Sequence, residues 1–136
     1  SNQNRIYEFG KNLGIAFQLQ DDYLDAFGDP ESFGKQLCGD IIENKKTYLY
    51  LKARELASKE LVLELDQLFS IKPRNPEEKI KAVLEIYRET GAAQATREAI
   101  EAYTKSTFEV LESLQLVGDY QQVLSAFAEN LMDRKV

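Results

Sequence analysis

The chain has 136 residues, enough for one domain with a useful core, and its 43% hydrophobic and 29% charged residues are ordinary for a globular protein. A net charge of −6 argues against broad binding to the nucleic-acid backbone, the absence of His removes His-based triads and most zinc sites, and the single Cys38 cannot form an intramolecular disulfide. No apolar run is long enough to span a bilayer and the first residues lack the apolar stretch of a signal peptide, so the expectation is a cytoplasmic protein, not integral to a membrane.

The pattern is helical throughout, and no segment sustains a two-residue alternation of β-branched residues. A first long helix is expected from about Asn4 to Phe27, ending before the Gly- and Pro-punctuated "GDPESFG". The stretch "FGKQLCGDIIENKKT" reads as a loop leading into a helix near Lys46 to Ala57, with Lys45 just inside it. Ser58 is a candidate N-cap for the helix "KELVLELDQLF". In "RNPEEK", Asn75 is placed to cap, Pro76 fits the first helical position and Glu78 sits where a capping-box acid belongs. That helix stops at Gly91, and another runs from about Ala92 to Leu116. Gly118 breaks the pattern, and Asp119 with Gln122 opens a final helix to about Asp133. Five or six helices with short connections give an all-α helical bundle.

The segment that carries chemistry is "GIAFQLQDDYLDAFGD". At about 100° per residue, Gly14, Gln18, Asp21 and Asp25 fall within roughly 60° of one another, with Asp22 on the flank. The rest of the circumference is mostly apolar, so this acidic stripe belongs on a wet groove rather than in bulk solvent. Three carboxylates this close repel one another, and a divalent cation is the simplest relief. Mg²⁺ takes hard oxygen ligands, commonly one or two carboxylates together with substrate phosphates. A bare Asp-Asp-x-x-Asp is more often a solvated helix end, and the apolar surroundings are what weigh against that reading here. An EF-hand is a poor fit, because the alternating oxygen ligands and the closing Glu are missing. Downstream, Lys35, Lys45 and Lys46 follow in order. If the loop folds back, their ammonium groups meet diphosphate oxygens held by the same ion. Each Lys alone is most simply a surface residue; the order of acids, Gly-Lys loop, Asp and Lys makes the joint reading stronger.

These residues resemble the polyprenyl synthetase family, which includes farnesyl and geranylgeranyl diphosphate synthases. The matching text is "FQLQDDYLDAFGDPESFGK" followed by "GDIIENKKTYLYLKA". The resemblance is tight from about Gly14 to Ala57 and looser beyond. It implies that residues 1–136 are the C-terminal part of an isoprenoid synthase fold. The N-terminal half, with the first aspartate-rich motif, would lie outside the chain. It further implies that Asp21 and Asp25 ligate Mg²⁺, with Asp22 acting through water. Gln18, Lys35 and Lys45 would contact the allylic substrate, mainly its diphosphate, and Phe17 would lie at the homoallylic site. Asp40 would be an acid near the metals, and Arg134 would match terminal basic residues that help bind isopentenyl diphosphate. The implied parent is a trans-prenyltransferase that joins isopentenyl diphosphate to an allylic diphosphate head to tail and releases pyrophosphate. The expected assembly is a homo-oligomer, with this chain inactive alone. The alternatives are a non-catalytic metal–diphosphate-binding or regulatory subunit and a structural helical module.

Overall fold

A computed structural model gives the structure of the chain and describes residues 2–28, 38–113 and 120–133. The described residues form seven helices and no strand. In chain order they are α1 (Asn2–Phe27), α2 (Gly39–Ile42), α3 (Tyr48–Leu56), α4 (Lys59–Leu68), α5 (Glu77–Glu89), α6 (Ala92–Ser113) and α7 (Tyr120–Met132). All but α2 correspond to expected helices.

Local chemistry accounts for most of the boundaries. The motif helix α1 ends at Gly28, whose N–H donates to the Leu24 carbonyl at 2.8 Å. A Cβ at Gly28 would stand 2.5 Å from that same oxygen, so only glycine turns the chain there. Ser58 caps α4 as expected, its Oγ accepting the Leu61 N–H at 3.3 Å. Asn75 Oδ1 accepts the Glu77 N–H at 3.2 Å, and α5 starts at Glu77, one residue later than the Pro76 start expected. Gly91 separates α5 from α6 in the left-handed region, at φ 88. Gly118 and Asp119, the expected break and cap before α7, lie outside the described residues.

The contacts divide the described residues into two units, 2–20 with 98–113 and 120–133, and 21–28 with 38–97, so α1 and α6 each give one end to each unit. In the first, Phe9, Leu13, Leu111 and Ala128 form the buried centre, flanked by Phe108, Leu124 and Leu131. Arg5 donates to the Ser113 carbonyl and Gln20 to the Met132 carbonyl, each at 2.8 Å. Both bonds satisfy acceptors that a helix C-terminus leaves without intrahelical partners. In the second unit α5 is the hub, packing against α2, α3 and α4. Its Val83, Ile86 and Tyr87 meet Ile41, Leu49, Tyr50, Ala53 and Leu65 in one core. Leu65 and Val83 are fully enclosed, and each contributes roughly 1.5–3 kcal/mol through that burial. Asp66 on α4 holds α3 by accepting from Tyr50 Oη at 2.9 Å and from Arg54 through two bonds of 3.1 Å.

Candidate functional site

The acids Asp21, Asp22 and Asp25 stand on the last two turns of α1, where the sequence pattern puts them. Asp22 and Asp25 are buried, whereas Asp21 is half-buried. The stripe therefore does not face solvent as one strip. It sinks from exposed Gly14 and Gln18 towards Asp25. Phe17 is half-buried.

Burial of Asp25 is compensated by α2. Its Oδ2 accepts the backbone N–H of Asp40 at 3.0 Å, in the first turn of that helix. Its backbone carbonyl accepts the Cys38 N–H at 2.6 Å. Asp25 thus ties Cys38 and Asp40 back onto α1 through both side chain and main chain. Cys38 adopts the left-handed region, φ 66, to make this turn. Burial, with Asp25 and Asp40 adding like charge, pushes its thiol up to about 11. Asp40 sits in the first turn of α2, half-buried.

After α2 the chain turns again at Asn44, φ 60, and the Lys45 N–H donates to the Asp40 carbonyl at 2.8 Å. Lys45 does not lie inside a helix, as its sequence context suggested; it belongs to the non-helical connection between α2 and α3, which begins at Tyr48. From there Lys45 Nζ stands 3.9 Å from Asp22 Oδ1, with the Lys side chain 56% exposed and the Asp side chain 8% exposed. Its ammonium is thus partly in solvent and available to an anion. Lys46 goes elsewhere, with its Nζ 5.8 Å from the centre of the Tyr50 ring. Of the two adjacent lysines only Lys45 reaches the acids. Lys35 and Arg134 lie outside the described residues.

Two features were not read from the sequence. One is the bond from α2 to Asp25. The other is Lys79, 3% exposed on the apolar face of α5. Its Nζ donates to the Ile71 carbonyl at 2.7 Å and to Asn44 Oδ1. Asn44 Nδ2 donates to the same carbonyl at 3.1 Å. Burial depresses the Lys79 ammonium, with Lys72 acting in the same sense. A signal for Lys79 existed: it falls in register with Val83 and Ile86, a charge on a hydrophobic stripe.

The donors at the end of α1 are all carboxylate oxygens, the chemistry that Mg²⁺ takes. Among the described residues, no three acidic, Cys or His side chains are grouped so as to enclose a metal ion. The set fits an ion completed by phosphate oxygens rather than a closed protein cage.

Comparison with known proteins gives the family of the chain. The family model described as polyprenyl synthetase matches residues 1–87. A short chain isoprenyl diphosphate synthase of Methanothermobacter thermautotrophicus is 32% identical over 130 residues, covering 96% of this chain and 39% of the relative. A farnesyl pyrophosphate synthase of Saccharomyces cerevisiae is 46% identical over 71 residues, 52% of this chain and 20% of its own. A crystal structure of geranylgeranyl pyrophosphate synthase superimposes with a TM-score of 0.84 at 44% identity, over 99% of this chain and 42% of that one. The chain thus spans about two fifths of the length of the first of these relatives and of the solved structure. With more than half its length matched by the family model and the same all-α isoprenoid synthase fold, the chain belongs to the polyprenyl synthetase family.

Proposed function

We propose that this chain is the C-terminal part of a trans-prenyltransferase, and that it supplies one wall of the site where an allylic diphosphate ionises and isopentenyl diphosphate attacks. The relatives named as isoprenyl, farnesyl and geranylgeranyl diphosphate synthases support this reading. The observation that carries it is the approach of partly exposed Lys45 to buried Asp22, one turn from buried Asp25, which puts a cation beside a set of hard oxygen donors.

Asp21, Asp22 and Asp25 are the residues that would hold Mg²⁺, which when bound supplies charge neutralisation at a diphosphate leaving group. Lys45 presents a point charge to the same diphosphate and stabilises the charge that develops as the carbon–oxygen bond breaks. Gln18 and Lys35 are assigned to the allylic diphosphate, Phe17 to the homoallylic site and Arg134 to isopentenyl diphosphate, on the family resemblance. Asp25 also has a structural role, since its bond to the Asp40 N–H fixes the return of the chain that brings Lys45 round. No described helix is long and apolar enough to cross a membrane, and a cytoplasmic location fits this role.

The test is steady-state kinetics of the full-length protein with Mg²⁺, isopentenyl diphosphate and dimethylallyl, geranyl or farnesyl diphosphate. Asp21→Ala and Lys45→Ala should each lower kcat/KM by about 100-fold or more, because a group that stabilises leaving-group charge is worth several kcal/mol. Lys46→Ala should change it by about threefold or less. Equal effects of the two lysine substitutions would remove Lys45 from the site.

A further inference from the structure

A cavity in the second unit faces away from Asp21 and Asp25. Its volume is about 420 Å³ and its lining is Tyr23, Phe27, Arg88, Ala93, Gln94 and Arg97. On a helix advancing about 100° per residue, Tyr23 points roughly 160° away from both Asp21 and Asp25, so this cavity and the acids use opposite faces of α1. The rings of Tyr23 and Phe27 lie 5.1 Å apart, centre to centre. Each carries one guanidinium: Arg97 sits 5.6 Å from the Tyr23 ring centre and Arg88 sits 5.3 Å from that of Phe27. Arg97 Nη1 also donates to Tyr23 Oη at 2.6 Å, and its Nη2 to Gln94 Oε1.

None of the lining residues is acidic. The Arg88 side chain is exposed and, among the described residues, makes no hydrogen bond or ion pair; its one interaction is with the ring. On a chain of net charge −6, two arginines sharing a recess without a carboxylate form a local positive site. Cation–π contact with the rings, and for Arg97 the bond to Tyr23 Oη, hold both forks in place, which lowers the entropy lost when an anion binds. Two forks in one recess suit an anion with several oxygens and more than one charge. We propose that Arg88 and Arg97, held against Phe27 and Tyr23, form a binding site for the phosphate or diphosphate group of a small molecule. This site does not depend on the prenyl-transfer reading.

The experiment titrates the chain with inorganic pyrophosphate in EDTA, so that no metal-assisted binding at the acids contributes. NMR of the arginine Nε–Hε groups supplies the readout. The Arg88 and Arg97 signals should shift saturably, and Arg88→Gln and Arg97→Gln should each weaken binding at least tenfold. Arg54→Gln, at an exposed arginine already paired with Asp66, should leave it unchanged. Shifts that rise equally at all arginines without saturation would overturn the proposal, as would undiminished binding in Arg88→Gln. Circular dichroism checks that the variants fold. If Arg97→Gln does not fold, Arg88→Gln decides alone, because that side chain makes no bond within the fold. A parallel arm uses phosphatidic acid vesicles and should show no Arg88-dependent binding. Arg88-dependent vesicle binding without pyrophosphate binding would overturn the small-molecule assignment.

Discussion

Asp25 and Asp21 share a motif and a helical face, yet the fold uses them differently. Asp25 is buried and accepts a backbone N–H of α2, whereas Asp21 is half-buried on the preceding turn. Removing the Asp25 carboxylate takes away a charge-assisted cap and leaves an amide donor with poor access to water. Asp25→Ala should therefore destabilise this chain by about 1–2 kcal/mol more than Asp21→Ala does, as read from urea unfolding midpoints. On the proposed function, both should lower the activity of the full-length protein. The comparison isolates what the Asp25 bond to α2 adds to the fold. Equal stability losses would mean that the Asp25 bond contributes nothing measurable to the fold.

Among the elements, those set by local chemistry are legible from sequence and those set by distant contacts are not. Ser58, Asn75 and Gly91 carry their boundary signals in their own side chains or backbone freedom; Ser58 and Gly91 act where the sequence pattern puts them, and Asn75 bonds to the Glu77 N–H from one residue further out than expected. The four-residue α2 is too short to show a helical period, and its N-terminal end is held by Asp25, far away in sequence. The sequence pattern puts Lys45 in the next helix because nothing in "ENKK" announces a left-handed residue, although Asn is the type that tolerates one. The acids at 21, 22 and 25 are legible as a candidate site, but their gradient of burial depends on packing. The turn at Asn44 is held from the side by Lys79, which joins it to the Ile71 carbonyl ahead of α5. Lys79→Met keeps the apolar stem but removes the donors, so the Ile71 carbonyl keeps only its bond from Asn44 Nδ2 and Asn44 Oδ1 loses the ammonium. The expected cost is about 1–3 kcal/mol in denaturant unfolding of this chain. Because the same turn aims Lys45, the full-length variant should also lose kcat/KM, with Lys79→Arg restoring part of both. Full activity in a destabilised Lys79→Met protein would show that the turn keeps its aim without the tether.

For the whole molecule, the question is what this chain can do by itself. Its acids do not close around a metal among the described residues, and the chain covers only about two fifths of the length of the structure it superimposes on. Charge stabilisation of a departing diphosphate needs ligands on more than one side. The chain alone should therefore give no prenyl product with Mg²⁺, isopentenyl diphosphate and any of the three allylic diphosphates. Its surface carries a matching signature. In the first unit Tyr7 is 73% exposed and Phe127 51% exposed; in the second, Leu51 and Leu63 are also exposed. Large apolar side chains left in water in both units favour association. Light scattering should thus give a mass above 15.5 kDa at micromolar concentration, and Tyr7→Ser with Phe127→Ser should shift it towards the monomer. Product formed by the purified chain at a rate typical of enzymes would show that its own acids and Lys45 suffice. A stable monomer before any substitution would show that these side chains are ordinary surface.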